Sequence, residues 1–344
     1  MYQLINKMAK RWAISPEKLA LLCTQQKIPG AILAGSEWQI PDGAQKPSLA
    51  RPFLKWAGGK SRVLGAISAH YPKELGHAIT RYVEPFVGGG AVLFDVLSCY
   101  QIKDAYAFDT NPELINAYRV VQQKPESLIR KLQTFESEYL ELSQEDRKAY
   151  YYEKRGAFNT GTRCTANSKP NTLRAALFLF LNRTCFNGLY RVSKSGQFNV
   201  PMGRYKNPQI CNAPALRAAS AALQNVRLFC ASYEAAAEYI DEQTFAYLDP
   251  PYRPLSATSS FTAYTKDAFD DDSQRQLAQF YSGMAHRGAF LLLSNSDPKN
   301  ADPDDDFFDA LYQGFSIYRI PVGRAINAKG SSRGQVSELL IKNK

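Results

Sequence analysis

The chain has 344 residues, 45% hydrophobic and 22% charged, with a net charge of +10. That length can bury a large core in two or three domains, while the absence of a long apolar run excludes a membrane-spanning helix and no apolar signal-peptide centre opens the sequence. Six scattered cysteines without a CxxC pair, and only three histidines, argue against a zinc site or disulfide framework and suit a reducing cytosol.

The charge is not spread evenly. From Lys154 to Asn225 there are eleven Lys and Arg and no Asp or Glu, so this segment carries +11 and the rest of the chain −1. A run of cations without interspersed acids points to a polyanionic partner, most simply nucleic acid.

Residues 1–45 read as a separate small module. The segment from Leu4 to Trp12 is a first helix. Ser15-Pro16-Glu17 starts a second, with Ser as N-cap and Pro in the first turn. Ala31 to Ile40 is a hairpin about Gly35-Ser36. Helix, turn, helix and wing resemble the winged helix-turn-helix modules of excisionase-like and MerR-like proteins. The module is open to two uses, a further DNA contact or a protein-docking cap. Residues 41–48 form a polar linker.

Phe53 to Lys60 opens the main domain with Trp56, paired glycines and Lys60, a loop in which ring, backbone and cation can approach one ligand; the plain alternative is a solvated turn. Arg81 to Phe86 is a strand, followed by Gly88-Gly89-Gly90 and a helix from Ala91. A strand, a glycine turn and a helix let backbone N–H groups approach a ligand at the helix N-terminus. Ala105 to Phe108 is the next strand and ends in Asp109, nineteen residues after Gly90. An acidic residue at that spacing is placed to bind a ribose diol. No GxxxxGK[ST] occurs, so a phosphate-binding P-loop is not indicated.

Residues 112–153 read as helical, and Arg174–Arg183 as an apolar core helix. Phe186 to Lys206 alternates turns with basic and aromatic residues, a hairpin suited to a DNA groove. After a helix at Ala213–Gln224, strands are expected at Val226–Phe229, Phe245–Leu248, Ala289–Leu293, Phe315–Ile320 and Val336–Ile341. Pro254–Tyr264 is a loop placed to close over substrate, and Arg324–Gly334 a basic loop. The whole is an α/β pattern.

Asp249-Pro250-Pro251-Tyr252 closes the buried strand at 245–248. A rigid carboxylate and carbonyl beside an aromatic suit a flat amino-heterocycle. The exocyclic nitrogen of adenine is a poor nucleophile because its lone pair is delocalised. If Asp249 and the Pro250 carbonyl accept its N–H bonds, the nitrogen is drawn towards tetrahedral geometry, and Tyr252 can stack on a base flipped from its duplex. A Pro-rich turn with Asp249 as a cap is the plain alternative.

Together these residues resemble the Dam-like DNA adenine-N6 methyltransferases of the alpha group. The matches are Phe53–Lys60, Tyr82–Phe86 with Gly88–Gly90, Asp109, Leu181–Lys206 and Asp249–Tyr252, extended by Pro254–Thr258 and Phe261–Tyr264. The resemblance implies a Rossmann-like S-adenosylmethionine-dependent fold: a methyltransferase core at 51–152 and 226–344, a DNA target-recognition domain at 153–225, and an added module at 1–45. It implies that Trp56, Lys60, Glu84, Phe86, Gly88, Asp109 and Asp249 bind S-adenosylmethionine. It makes Asp249, Pro250, Pro251 and Tyr252 catalytic, without a metal. Arg191 would read guanine and Phe186 would act as wedge, with Asn187, Leu189 and Pro201 beside the target bases. The expected partner is double-stranded DNA, the expected site GATC, and the expected place the cytoplasm, on the nucleoid. The competing readings are an adenine methylase of another recognition sequence and a DNA-binding regulator with a vestigial methyltransferase fold; a regulatory role and a place in a restriction-modification system both stay open.

Overall fold

The computed structural model describes residues 1–253, 269–322 and 336–344; the loops expected at 254–264 and 324–334 lie outside them. Strands β1 (Tyr2–Leu4), β2 (Ile32–Ala34) and β3 (Glu37–Pro41) form a small antiparallel sheet, ordered β1-β3-β2. Strands β4 (Arg81–Glu84), β5 (Asp104–Asp109), β6 (Val226–Cys230), β7 (Thr244–Leu248), β8 (Phe290–Ser296), β9 (Ser316–Val322) and β10 (Val336–Lys342) form a seven-stranded sheet. Its order is β6-β5-β4-β7-β8-β10-β9. β4 to β8 are mutually parallel, and β10 runs antiparallel to both of its neighbours. The central fold is therefore a mixed α/β sheet, largely parallel, as a methyltransferase fold requires.

Side chains on a strand alternate between faces, and here the alternation separates two cores. Tyr82, Ala105, Ala107, Phe245, Tyr247 and Leu292 point into one. Val83, Tyr106, Phe108, Ala246, Leu248 and Leu293 point into the other. A sheet covered on both faces needs unbroken apolar strands, which is why 245–248 and 290–293 are legible as buried runs.

Helix Thr172–Thr184 is buried at every position from Arg174 to Asn182. It lies among the helices Pro112–Gln123, Pro125–Glu141 and Gln144–Thr160. A helix apolar all round belongs inside. Its Phe178, Phe180 and Leu181 share a core with Tyr82 and Phe94 of the sheet side, and helix Gln144–Thr160 runs unbroken past residue 152. Three of the eleven cations of the basic run serve this packing. Arg174 pairs with Glu113, Arg217 with Glu126, and Arg183 donates to the Phe53 carbonyl.

The hairpin expected at 186–206 is not a two-stranded ribbon. Its only described pairings are isolated bridges, Cys185 with Met202 and Val192 with Phe198. The segment is held by a few backbone bonds across it, such as Phe186 N to the Pro201 carbonyl and Asn199 N to the Arg191 carbonyl, and by side-chain packing, with Phe198 and Val200 buried. A short helix, Leu64–Ser68, was too brief to show in the periodicity.

At the N-terminus, helix Ile5–Trp12 begins one residue later than expected, because Leu4 ends β1 and pairs with Gln39. Ser15 Oγ accepts from Lys18 N at 3.2 Å, and Pro16 opens helix Pro16–Thr24. Ile5, Met8, Trp12, Leu19, Leu22 and Ile40 make a small core of their own. The second helix faces helix Ala91–Cys99. Lys18 Nζ lies 2.7 Å from Asp95 Oδ1, Lys27 Nζ donates to the Leu97 carbonyl, and Gln25 Oε1 accepts from Gln101 N. Among the described residues no helix is long and apolar enough to cross a membrane.

Asp95 is buried, and its other contacts are the Tyr71 hydroxyl and the Cys99 thiol. Removing Lys18 leaves that carboxylate unpaired, a change costly for a buried charge but moderated by the exposure of Lys18. Lys18→Met is expected to lower stability by about 2 kcal/mol in denaturant unfolding. Adding Asp95→Asn should cost less than the sum of the two single changes; strict additivity would show that the pair does not hold the module down.

Candidate active site

β4 and β7 are neighbours, but the chain leaves them in opposite directions, to β5 through helix Ala91–Cys99 and to β8 through helix Asp271–His286. In a parallel sheet this divergence opens a crevice at the strands' carboxyl ends. Glu84-Pro85-Phe86 leaves β4 there, and Asp249-Pro250-Pro251-Tyr252 leaves β7. Both line a cleft of about 2620 Å³ that also takes in Trp56, Lys60, Gly88 and Asp109.

Lys60 is buried at the floor of this cleft. The sequence places it where a cation can approach a ligand; here its Nζ lies 2.7 Å from Asp249 Oδ1 and 2.7 Å from the Gly58 carbonyl it donates to. The same ammonium stands 4.6 Å from the centroid of the Tyr252 ring. The contact with Asp249 is an ion pair off the hydrogen-bonding line, so Oδ1 is buried without an aligned donor among the described residues. Burial pushes the Asp249 carboxyl up, the adjacent Lys60 ammonium pulls against it, and the charge of Glu338 adds to the rise. Glu84 is pushed well above the usual carboxylate range by burial, opposed by the Tyr82 hydroxyl that donates to it at 2.6 Å.

The prolyl turn is braced from behind. Gln274 Nε2 donates to the Pro251 carbonyl at 3.1 Å, and Asn295 Nδ2 donates to Gln274 Oε1 at 3.0 Å. Arg253 pairs with Asp271 and Asp305, and the Tyr252 hydroxyl donates to Glu338 Oε2 at 2.9 Å. Among the described residues nothing donates to the Pro250 carbonyl.

The glycine turn forms the neighbouring wall. Gly88 and Gly90 have φ of 46° and 69°, and a Cβ at Gly90 would come within 2.4 Å of the Tyr118 hydroxyl. Asp109 ends β5, where Gly88 N donates to Oδ2 at 3.1 Å and Asn111 N to Oδ1 at 2.9 Å. Burial pushes its carboxyl up to about 6 against those two amides. Phe86 stacks on Tyr233 at the rim. An oriented carboxylate, a glycine turn and flanking aromatic rings fit a nucleoside cofactor.

The hairpin residues stand at the far side. Phe186 is half exposed, and its backbone N donates to the Pro201 carbonyl at 2.9 Å. Asn187 adopts the left-handed region, φ 54°, and lines the cleft. Leu189 is half-buried. Arg191 is exposed, with Nε donating to Asn199 Oδ1 at 2.7 Å. Four further residues carried no sequence signal for their place here: Glu338, Gln274, Tyr190 and Lys55, whose Nζ donates to the Tyr205 hydroxyl at 3.3 Å.

Residues 56–326 match the family of D12 class N6 adenine-specific DNA methyltransferases. The chain is 48% identical over 295 residues to the type II methyltransferase M.MjaIII of Methanocaldococcus jannaschii, covering 85% of this chain and 99% of that one. It is 36% identical to the type II methyltransferase M1.LlaDCHI of Lactococcus lactis subsp. cremoris, covering 85% of this chain and 95% of the relative. It is also 36% identical to the DNA adenine methylase of Escherichia coli K12, covering 84% and 94%. The chain belongs to the D12 class of adenine-specific DNA methyltransferases, and the match leaves residues 1–55 outside it.

Lys60 opposes the effect of burial on Asp249, so its removal must raise that carboxyl further. The ionised acceptor is then lost at a higher pH as acidity increases. In Lys60→Met the acid limb of the methyl-transfer rate is expected to move to higher pH. An unmoved limb with an intact fold would show that Lys60 does not set the charge on Asp249.

Proposed function

We propose that the chain transfers a methyl group from S-adenosylmethionine to adenine N6 within GATC in duplex DNA, on a base flipped out of its stack. The observation that carries this reading is the position of Asp249, at the switch point, with a buried oxygen lacking an aligned donor and in one cleft with Asp109 and the glycine turn. Asp249 and the Pro250 carbonyl accept hydrogen bonds from the two N6 N–H groups and localise the lone pair on nitrogen. Pro251 fixes the turn, and Tyr252 stacks on the base. The nitrogen gains a carbon and sheds one proton, for which ionised Asp249 is the acceptor.

The donor supplies, when bound, an electrophilic methyl group on a positively charged sulfur. Asp109 would hold its ribose diol, Gly88 its approach to the backbone, and Trp56, Glu84 and Phe86 its flanks. Lys60 holds Asp249 and the 58–60 loop rather than the ligand alone. A cleft lined by the carboxyls of Asp109 and Asp249 against one buried ammonium favours a cationic ligand.

We assign residues 153–225 to target recognition, with the core at 51–152 and 226–344. Phe186 is the wedge, Arg191 the guanine reader, and Asn187, Leu189 and Pro201 the neighbours of the target bases. Residues 1–45 are assigned to the winged helix-turn-helix class. Their second helix, the one that enters a groove in such proteins, faces helix Ala91–Cys99, so a further DNA or protein contact falls to helix Ile5–Trp12 and the β2–β3 wing. The two relatives described as type II methyltransferases support a role beside a restriction enzyme. The vestigial reading finds no support in a cleft where every expected catalytic residue is present.

The test is transfer of labelled methyl from S-adenosylmethionine to plasmid, followed by digestion with nucleases sensitive to GATC methylation. Protection of GATC sites is expected; labelling without protection would move the recognition sequence, and no labelling would overturn the activity. The Asp109 carboxyl, raised to about 6, must be ionised to accept from a diol. Affinity for S-adenosylhomocysteine, followed by calorimetry, is expected to fall about tenfold per pH unit below that value. Asp109→Asn should bind weakly at every pH, with the fall removed.

A further inference from the structure

The cofactor side and the DNA-reading side of the cleft meet at one aromatic contact. Trp56 lies against the glycine turn, where a Cβ on Gly88 would come within 2.9 Å of its ring and one on Gly89 within 3.2 Å of its own Cβ. Its ring also stacks on Tyr190, with centroids 5.7 Å apart and planes at 22°. Tyr190 stands in the hairpin between Leu189 and Arg191. It is packed between Phe178 of the buried helix, at 5.4 Å, and Phe198 across the hairpin, at 5.9 Å. A single amide doubles the link. Asn182 Oδ1 accepts from Lys55 N at 2.8 Å, while its Nδ2 donates to the Lys55 carbonyl at 2.7 Å and the Gly188 carbonyl at 2.9 Å. The residue before Trp56 and the residue before Leu189 are thus held by one side chain.

Close-packed rings shift together or not at all. A ligand that orders Trp56 therefore also orders the segment carrying Leu189 and Arg191, and a duplex seated on that segment orders Trp56. We propose that Tyr190 is a positioning residue that couples cofactor binding to DNA recognition through its stack on Trp56. The inference rests on the reading that Trp56 borders the cofactor and the hairpin reads DNA. The first ligand bears the ordering of the stack, and the second meets it already ordered, which makes binding mutually favourable. Linkage requires the same factor in both directions.

The experiment uses the full chain. S-Adenosylhomocysteine binding is measured by calorimetry and binding of a duplex with one GATC by fluorescence anisotropy, each alone and with the other saturating. In the wild type the second ligand is expected to tighten by at least about fivefold, equally in the two directions. Tyr190→Leu keeps apolar volume without a ring face and is expected to bring that factor close to one. Tyr190→Phe, which keeps the stack, should retain it. A purely structural role would weaken each ligand without changing the factor. If the Leu variant does not fold, Tyr190→Met gives the same readout. A factor of one in the wild type with both ligands bound, or an undiminished factor in the Leu or Met variant, overturns the proposal. A wild type that binds neither ligand overturns the functional reading instead.

Discussion

The candidate site depends on one largely buried ion pair, Lys60 with Asp249. It joins the loop that opens the main domain to the turn that closes β7, and the Tyr252 ring sits against the same ammonium. A buried carboxylate without a partner would take up a proton and lose its use as an acceptor. Lys60 opposes that uptake while leaving Oδ1 without an aligned donor. The charge is thus kept available, and the geometry for a neutral N–H donor remains open.

The sheet explains why these groups converge. Parallel strands bring the ends of β4, β5 and β7 to one edge, so Glu84, Asp109 and Asp249 face a common cleft. β10 runs the other way, which places its start at the edge where the parallel strands end. Glu338 is therefore opposite Ser296 at the end of β8 and within reach of the Tyr252 hydroxyl. The two cores on either side of the sheet leave the edge as the place where backbone and charge remain accessible. The helix carrying Phe178 lies in the sheet's core, so the hairpin after it starts from a fixed base.

Much of this was legible because the informative motifs are local. A glycine turn after a strand, an acid ending the next strand, and an acid with two prolines ending a third each follow from a few adjacent residues. The ion pair was not legible, since nothing near Lys60 names Asp249 as its partner. Glu338 and Tyr190 were hidden for the same reason. Alternation at 186–206 suggested paired strands, but isolated bridges, a few backbone bonds and the buried Phe198 and Val200 hold that segment without a continuous ladder. The basic run was correct as a count and too generous as a surface, because Arg174 and Arg183 are engaged within the protein and the exposed Arg217 is paired with Glu126. β1 is too short to carry a period and exists because β3 offers it an edge.

The central claim is that Asp249 activates the amine rather than merely shaping the turn. Asp249→Asn keeps the size and the turn but replaces one acceptor with a donor. Single-turnover methyl transfer to a GATC duplex, with 2-aminopurine at the target position of a parallel duplex reporting base extrusion, separates the two roles. The account predicts that extrusion persists while transfer slows by at least about a hundredfold. Transfer at close to the wild-type rate in that variant would contradict it.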